Sequence, residues 1–517
     1  MATVGERALG SDETPPPDRQ GPAGPLPRSG QGSGASSTGG DAPRPPRGRL
    51  SLLLHPRNVP GRLRLAVTGC LLVTVVLGAV CLTAADRAQS TWTGITTRQA
   101  PQVVDATGLY QSLTDLDAQT ANLLMFGDAP SLASDRATAL TQYDQDRAAA
   151  DRDLQRATLD AAGDQAVQQA LSSVLDDMGQ YQDLAGRALE LNQVSAAGAG
   201  QPDATALTEY RQATDLMRTG LLPAADKLVQ ANNNAFNDSY TAERSSLSTA
   251  ELGVLLLGAL VLAALLGLQI WLARTFRRIV NPPLAAATLL VVVLIGLCGT
   301  LLPDQRQDLY VARREAFDSV VALTRARAVA YDANADESRY LLDHGRAAQY
   351  QDAFEADSQQ IAYLQGATIH TYDAALAADI GAYRADDSDV RFGGYYGTEF
   401  DNITFPGERA AAQQALLDYQ AYELDDRRIR ALADSGQLQA AIAYCTSYAP
   451  DASNGAFEAH DAALQKVIGI NSDAYAAAAK QGSGELSTRI PLLAGCAGAA
   501  LLLCLLGVRR RLGEFRP

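Results

Sequence analysis

Cysteine is nearly absent from the polar parts of this sequence, and histidine is scarce throughout. Of six cysteines, Cys70, Cys81, Cys298, Cys496 and Cys504 lie in apolar runs, where a thiol behaves as a small hydrophobe. Only Cys445 lies elsewhere, so no disulfide can staple a polar domain and no CxxC pair exists. The four histidines, His55, His344, His370 and His460, are scattered. No HExxH, GxSxG or zinc spacing is present. These absences point away from an enzyme, and no cofactor or metal is expected. Net basic charge is also missing: 43 Lys and Arg face 58 Asp and Glu, a formal charge of −15. A nucleic-acid partner is therefore not expected. The glycines at 30–40 are followed by no GK[ST], which excludes a phosphate loop. The first fifty residues, with "TPPPDRQGPAGPLPRSGQGSGASSTGG", hold too little apolar surface to offset ordering entropy and are expected to be disordered.

What the chain does have is length without charge. Four runs, 65–85, 252–273, 284–302 and 490–508, contain no ionisable residue. Each suits a hydrocarbon core of about 30 Å, which takes about 20 helical residues to cross. The first run is longer than a signal-peptide h-region and begins far into the chain, so it reads as an uncleaved anchor. The segments between the runs differ in sign. The tail 1–64, the loop 274–283 and the tail 509–517 carry +4, +3 and +3, whereas 86–251 and 303–489 carry −12 and −13. By the positive-inside rule the tails and loop are cytoplasmic and both long segments lie outside. A multi-pass protein of the cell membrane, with both termini inside, is the expectation. Gln269 is the one strongly polar side chain in the runs, which argues against a transport path.

The long segments are rich in Ala, Gln, Asp, Leu and Arg, mostly good helix formers. Val167, Leu171, Val174, Met178, Tyr181, Ala185 and Ala188 step by 4-3-4-3-4-3, the spacing of a packed helical seam. Breaks at Gly127-Asp-Ala-Pro130, near Ala162-Gly163 and at Gly198-Ala-Gly-Gln-Pro202 divide 86–251 into four helices. An antiparallel four-helix bundle rooted in the first two spans follows, with Pro101 and Pro223 expected to kink or interrupt its outer legs. An offset of 218 lays Leu123-Leu124 on Leu341-Leu342 and Gly127 on Gly345. The segment 303–489 is therefore read as a second copy. The expected fold is all-α: four transmembrane helices and two tandem extracytoplasmic four-helix bundles.

The copies differ at about 381–408, "GAYRADDSDVRFGGYYGTEFDNITFPGE", where helical periodicity fails. Aromatic residues gather there in a chain only 6% aromatic. Phe392, Tyr395, Tyr396, Phe400, Asn402, Phe405 and Glu408 are candidates for an extracytoplasmic docking surface; the alternative is that the rings cover a bundle end. His344 is expected at an exposed helix corner, and the Asp pairs at 176–177, 386–387 and 425–426 on solvated faces or loops. Arg274, Arg277, Arg278, Pro282 and Pro283 are the candidate cytoplasmic relay. The same arginines also serve as positive-inside anchors.

Long acidic bundles between two spans resemble the sensor domains of bacterial chemoreceptors and sensor kinases. "RRIVNPPL" (277–284) is similar to the opening of a HAMP linker, but the third span begins at Leu284 and no HAMP helices follow. The stretches "NITFPGERAAA" (402–412), "DDRRIRALADSGQLQAAIAYC" (425–445) and "NGAFEAHDAAL" (454–464), with two tandem helical ectodomains, resemble an actinobacterial family of four-pass proteins, the GlnX-like amino-acid signalling relays. That resemblance implies a transmembrane relay passing nutrient status to a separate cytoplasmic partner. It implies an extracytoplasmic solute-binding lipoprotein on the input side and a cytoplasmic serine/threonine protein kinase on the output side, with a homo-oligomer left open. The other reading, from a different class, is a non-switching membrane scaffold of the cell envelope or of a transporter.

Overall fold

The computed structural model describes residues 59–160, 165–276 and 281–513, and all regular elements among them are helices. The N-terminal tail lies outside these residues. Helix α1 (Val59–Gly94) carries the first apolar run and passes through a π turn, Ile95–Gln99, into α2 (Ala100–Phe126). Helices α3 (Ala133–Asp160) and α4 (Gln165–Val194) follow. Helix α5 (Ala204–Leu216) then leads through a second π turn, Met217–Leu221, into α6 (Leu222–Phe276), which holds the second run. Gly127 ends α2 at φ 54°, and a Cβ there would stand 2.2 Å from the Ala197 carbonyl oxygen. Only glycine fits such an approach without strain. Asp203 caps α5, its carboxylate accepting from the backbone N–H groups of Thr205 and Ala206 at 2.8 and 3.1 Å, the usual service of an N-cap aspartate.

The second half begins with α7 (Pro282–Tyr310), a π turn at Val311–Phe317 and α8 (Asp318–Leu342). The offset of 218 that aligns the sequences also lays the first π turn inside this one. After α9 (Ala347–Ile361) come α10 (Tyr372–Ala385), α11 (Gly394–Phe400), α12 (Glu408–Asp434) and α13 (Leu438–Thr446). Helix α14 (Ser453–Gly513) closes the chain and carries the fourth run. This half departs from a plain four-legged plan. Its second leg, α9, has 15 residues where α3 has 28, and α10 and α11 fill the space left over. The irregular stretch thus starts at Ala362, earlier than residue 381, and is partly helical.

Pro101 and Pro223 do not break their helices. A proline ring strikes the carbonyl four residues back, here that of Thr97 or Thr219. Both carbonyls lie inside the π turns, whose wider i→i+5 pitch makes room: Ala100 N–H bonds to Ile95 and Leu222 N–H to Met217. Four helices are long and apolar enough to cross a membrane. α1 packs beside α6 and α14, and α7 packs beside the same two, so the four apolar segments form a closed ring.

The two repeats are joined along their whole length, because α2 packs directly on α8. Just beyond the spans, Trp92 Nε1 donates to Gln305 Oε1 at 2.8 Å, and Gln305 Nε2 donates to the Gly482 carbonyl at 3.1 Å. Trp92 and Gln305 are both buried. A Cβ on Gly482 would meet the Trp92 ring at 2.5 Å, whereas one on Gly484 would meet nothing within 4 Å. Gly482→Ala is expected to lower unfolding stability in detergent by about 1–3 kcal/mol, the usual cost of overpacking. Gly484→Ala on the same helix should be neutral or slightly stabilising, and equal behaviour of the two variants would contradict this packing.

Candidate functional site

Where the repeats meet, one helix face from each side carries Arg and Asp among its apolar residues. On the first repeat, Arg218, Leu222, Asp226 and Val229 follow one another at steps of 4, 4 and 3, so they share a face. On α8, Arg325, Ala328, Val329 and Asp332, at steps of 3, 1 and 3, also share a face. These two faces, with Thr107 and Tyr110 of α2, Gln360 of α9 and Tyr395 of α11, enclose a cleft of about 490 Å³. Arg325 donates to Asp226 at 2.7 Å across it, joining the two repeats. Arg218 reaches Asp336, fully buried behind the cleft, at 3.4 Å. Burial raises the Tyr110 phenol well above its ordinary range, helped by the carboxylates of Asp332, Asp357 and Asp226. Tyr110 therefore stays a neutral donor.

Behind the cleft lies a buried charge cluster. Arg339 is fully buried and donates to Asp117 of the first repeat at 2.6 Å and to Asp336 and Asp332 of its own helix at 2.6 and 2.9 Å. Asp117 is held in turn by the Tyr181 hydroxyl at 3.0 Å and the Thr214 hydroxyl at 2.7 Å. Burial pushes Asp336 up to about 6, with Arg339 pulling the other way. The cleft thus shares Asp332 and the partner of Arg218 with the cluster that joins the repeats. Its fixed charges of both signs suit a small molecule that itself carries both.

The residues singled out in the sequence fall into different places. Phe392, Tyr396 and Phe400 are buried and pack edge to face, Phe392 on Phe400 at 5.0 Å between centroids. Tyr396 shares a hydrogen bond with His460 Nε2 at 3.0 Å. These rings build the core that the short α9 leaves incomplete, which is a covering role and not an exposed surface. Tyr395 alone turns into the cleft. Asn402 donates to the carbonyls of Arg314 and Glu315 and to the Ser319 hydroxyl at 2.9, 3.0 and 2.9 Å, fastening the insert to the third π turn. Phe405 is half-buried, and Glu408 is fully buried with Oε2 accepting from the N–H groups of Thr404 and Phe405. Arg274 and Pro282 are exposed and Pro283 half-buried, while Arg277 and Arg278 lie outside the described residues. Asn281, next to them, donates to the Gly507 carbonyl at 3.0 Å, and Gln269 donates to Thr288 at 2.8 Å.

His344 is exposed at its corner. Asp426, by contrast, is not on a solvated face. It is buried against Arg430 of the same helix, whose Nε donates to Asp426 Oδ2 at 2.8 Å, so the two opposite charges enter the domain together. Apart from Tyr395, the cleft residues escaped notice in the sequence. Their signal was Arg and Asp recurring at helical spacing on faces that are otherwise apolar.

Residues 91–241 match the actinobacterial sensor domain. The match runs from the end of α1 well into α6, taking in all four legs of the first repeat, and it supports a sensory role. No curated protein and no solved structure matches the chain.

The buried carboxyls of this region make stability depend on pH. Glu399 is fully buried, close to the Ser319 hydroxyl, which lowers its pKa a little, and to the carboxyl of Glu408. Burial, and then the neighbouring Glu408, push it up to about 8. Glu423 and Asp146 are pushed up to about 8 as well, chiefly by burial. A carboxyl whose pKa is higher folded than unfolded takes up its proton in the folded state first. It therefore stabilises at low pH and loses that contribution as pH rises through about 8. The unfolding midpoint should be higher at pH 6.5 than at pH 8.5, and Glu399→Gln should narrow the difference. A midpoint that falls on acidification over this range would contradict the assignment.

Proposed function

We propose that the chain is a transmembrane sensor whose two polar domains stand outside the cell and whose inter-repeat cleft receives a small zwitterion of the amino-acid class. The observation that carries the reading is the cleft itself, with Arg218 and Arg325 for a carboxylate and Asp226 and Asp332 for an ammonium group. A charge-assisted pair at each end of a ligand gives orientation as well as affinity. The ligand arrives free or on an extracytoplasmic solute-binding lipoprotein.

Its walls belong to the helices that enter the membrane. Tyr110 stands on the leg that continues α1, Asp226 on α6 itself, and Arg325 on the leg that continues α7. A ligand that draws Asp226 and Arg325 apart competes with their ion pair and shifts α6 against α7. These two meet the loop 274–283, where the Gln269–Thr288 bond ties them. The loop and the two tails then offer a changed surface to a separate cytoplasmic protein such as a serine/threonine protein kinase. Reciprocity between the two surfaces follows from linkage.

The full-length protein in lipid nanodiscs should bind an α-amino acid saturably in a calorimetric titration of the common ones. Arg325→Gln should weaken that binding by about 10- to 100-fold, the worth of one hydrogen bond to a charged group, with helix content unchanged. Equal affinity in variant and parent would reject the cleft as the site. Sidedness has its own test. In intact cells Ala148→Cys and Gln414→Cys, at exposed positions, should react with an impermeant maleimide, and Thr275→Cys should react only after permeabilisation. External labelling at position 275 would reverse the scheme.

A further inference from the structure

A second cavity, of about 140 Å³, lies along the same α2–α8 contact on the side of α3 and α14. The first repeat lends it Asp115, Gln119, Asn122, Thr138 and Gln142; the second lends Tyr331, Asn334, Tyr448, Asn454, Phe457 and Glu458. No Lys, Arg or His lines it, which disfavours an anion. Asp115 is buried in its wall, and Glu458 is exposed at its mouth beside Tyr448. Tyr331 and Phe457 stand edge to face at 4.8 Å.

We propose that this cavity binds a small organic ammonium ion between the buried carboxyl of Asp115, the exposed carboxylate of Glu458 and the rings of Tyr331, Phe457 and Tyr448. An aromatic face attracts a cation through its quadrupole, and more strongly where water is excluded. The carboxamides of Gln119, Asn122, Gln142, Asn334 and Asn454 supply further oxygen acceptors for N–H donors.

The charges nearby leave this need unmet. Arg327 is the cation that acts on Asp115, but it grips Asp461 with two nitrogens and gives the third to Gln111 at 2.8 Å. Asp115 accepts from Gln119 at 2.8 Å and from Gln142 at 3.4 Å, and both donors are neutral. Beside it, buried Asp146 shares a hydrogen bond with Asp115, and burial holds both carboxyls above their ordinary range, so a cation is what would favour their ionised forms. The negative field is felt by Tyr448, whose phenol is pushed up to about 12 by burial and then by Glu458 and Asp115. A neutral polyol would satisfy the carboxamides but leave that field uncompensated. Such an occupant would touch both repeats, independently of the larger cleft.

The test uses the full-length protein in nanodiscs, titrated calorimetrically with ethylammonium chloride and with tetramethylammonium chloride at constant ionic strength. Erythritol serves as the uncharged comparison. Saturable binding of at least one ammonium ion supports the site, provided Glu458→Gln weakens it about tenfold or more, as loss of one charge contact implies. Tyr448→Ala should weaken it severalfold, whereas Arg325→Gln in the larger cleft should leave it unchanged. The proposal is overturned if neither ammonium ion saturates, if erythritol binds as well, or if Glu458→Gln binds like the parent. Loss of ammonium binding in Arg325→Gln would also overturn it, by moving the probe to the other cleft.

Discussion

Arg339 is the charge on which the arrangement of the two repeats turns. It carries a guanidinium into a region closed to water and is surrounded there by Asp117, Asp332 and Asp336. Each of these groups alone would cost several kcal/mol to bury. Together they are tolerable only if the first repeat brings Asp117 and the second brings Arg339 to one point. The same condition fixes Tyr181 and Thr214, which hold Asp117, and so orients α4 and α5. A buried ion cluster is weak evidence for stability but a strong constraint on register, because any slip of α2 along α8 leaves a charge unpaired. More exposed pairs between the repeats, such as Asp215 with Arg346 at 2.7 Å, add little each.

The membrane-crossing helices were legible because twenty uninterrupted apolar residues admit few other readings, and Gly127 marked a helix end that the backbone confirms. Periodicity also found the seam from Val167 to Ala188, all of whose apolar members from Val167 to Tyr181 are buried. The aromatic insert left two readings open in the sequence, a docking surface and a covered bundle end. Glycine-rich, aperiodic sequence resembles an exposed loop, yet Phe392, Tyr396 and Phe400 replace the core that a truncated helix cannot supply. Contacts between repeats were invisible, since Asp117 and Arg339 stand 222 residues apart and each alone looks like an ordinary charge on a helix. The cleft inherits that invisibility, being made only when two separately readable faces meet.

In the function proposed above, sensing and packing draw on one set of residues. Asp332 serves the buried cluster and the cleft, and Asp336 joins Arg339 to Arg218. A molecule bound in the cleft, as proposed, would act on the contact that holds the halves together. The four apolar segments each have two neighbours in a closed ring.

The three π turns add a geometrical constraint. A helix advances about 100° per residue, and a π turn amounts to one residue inserted into an α-helix. Each turn therefore acts as a phase offset between the part of the helix in the bilayer and the part above it. Legs one, four and five of the chain each contain one, two of them paired with a proline that prevents reversion to tight α pitch. The azimuth of Tyr110, Asp226 and Arg325 about their helix axes is thus decoupled from the azimuth of the lipid-facing residues below. Deleting a single residue from such a turn would keep the helix and swing its cleft-facing side chain about a quarter-turn away.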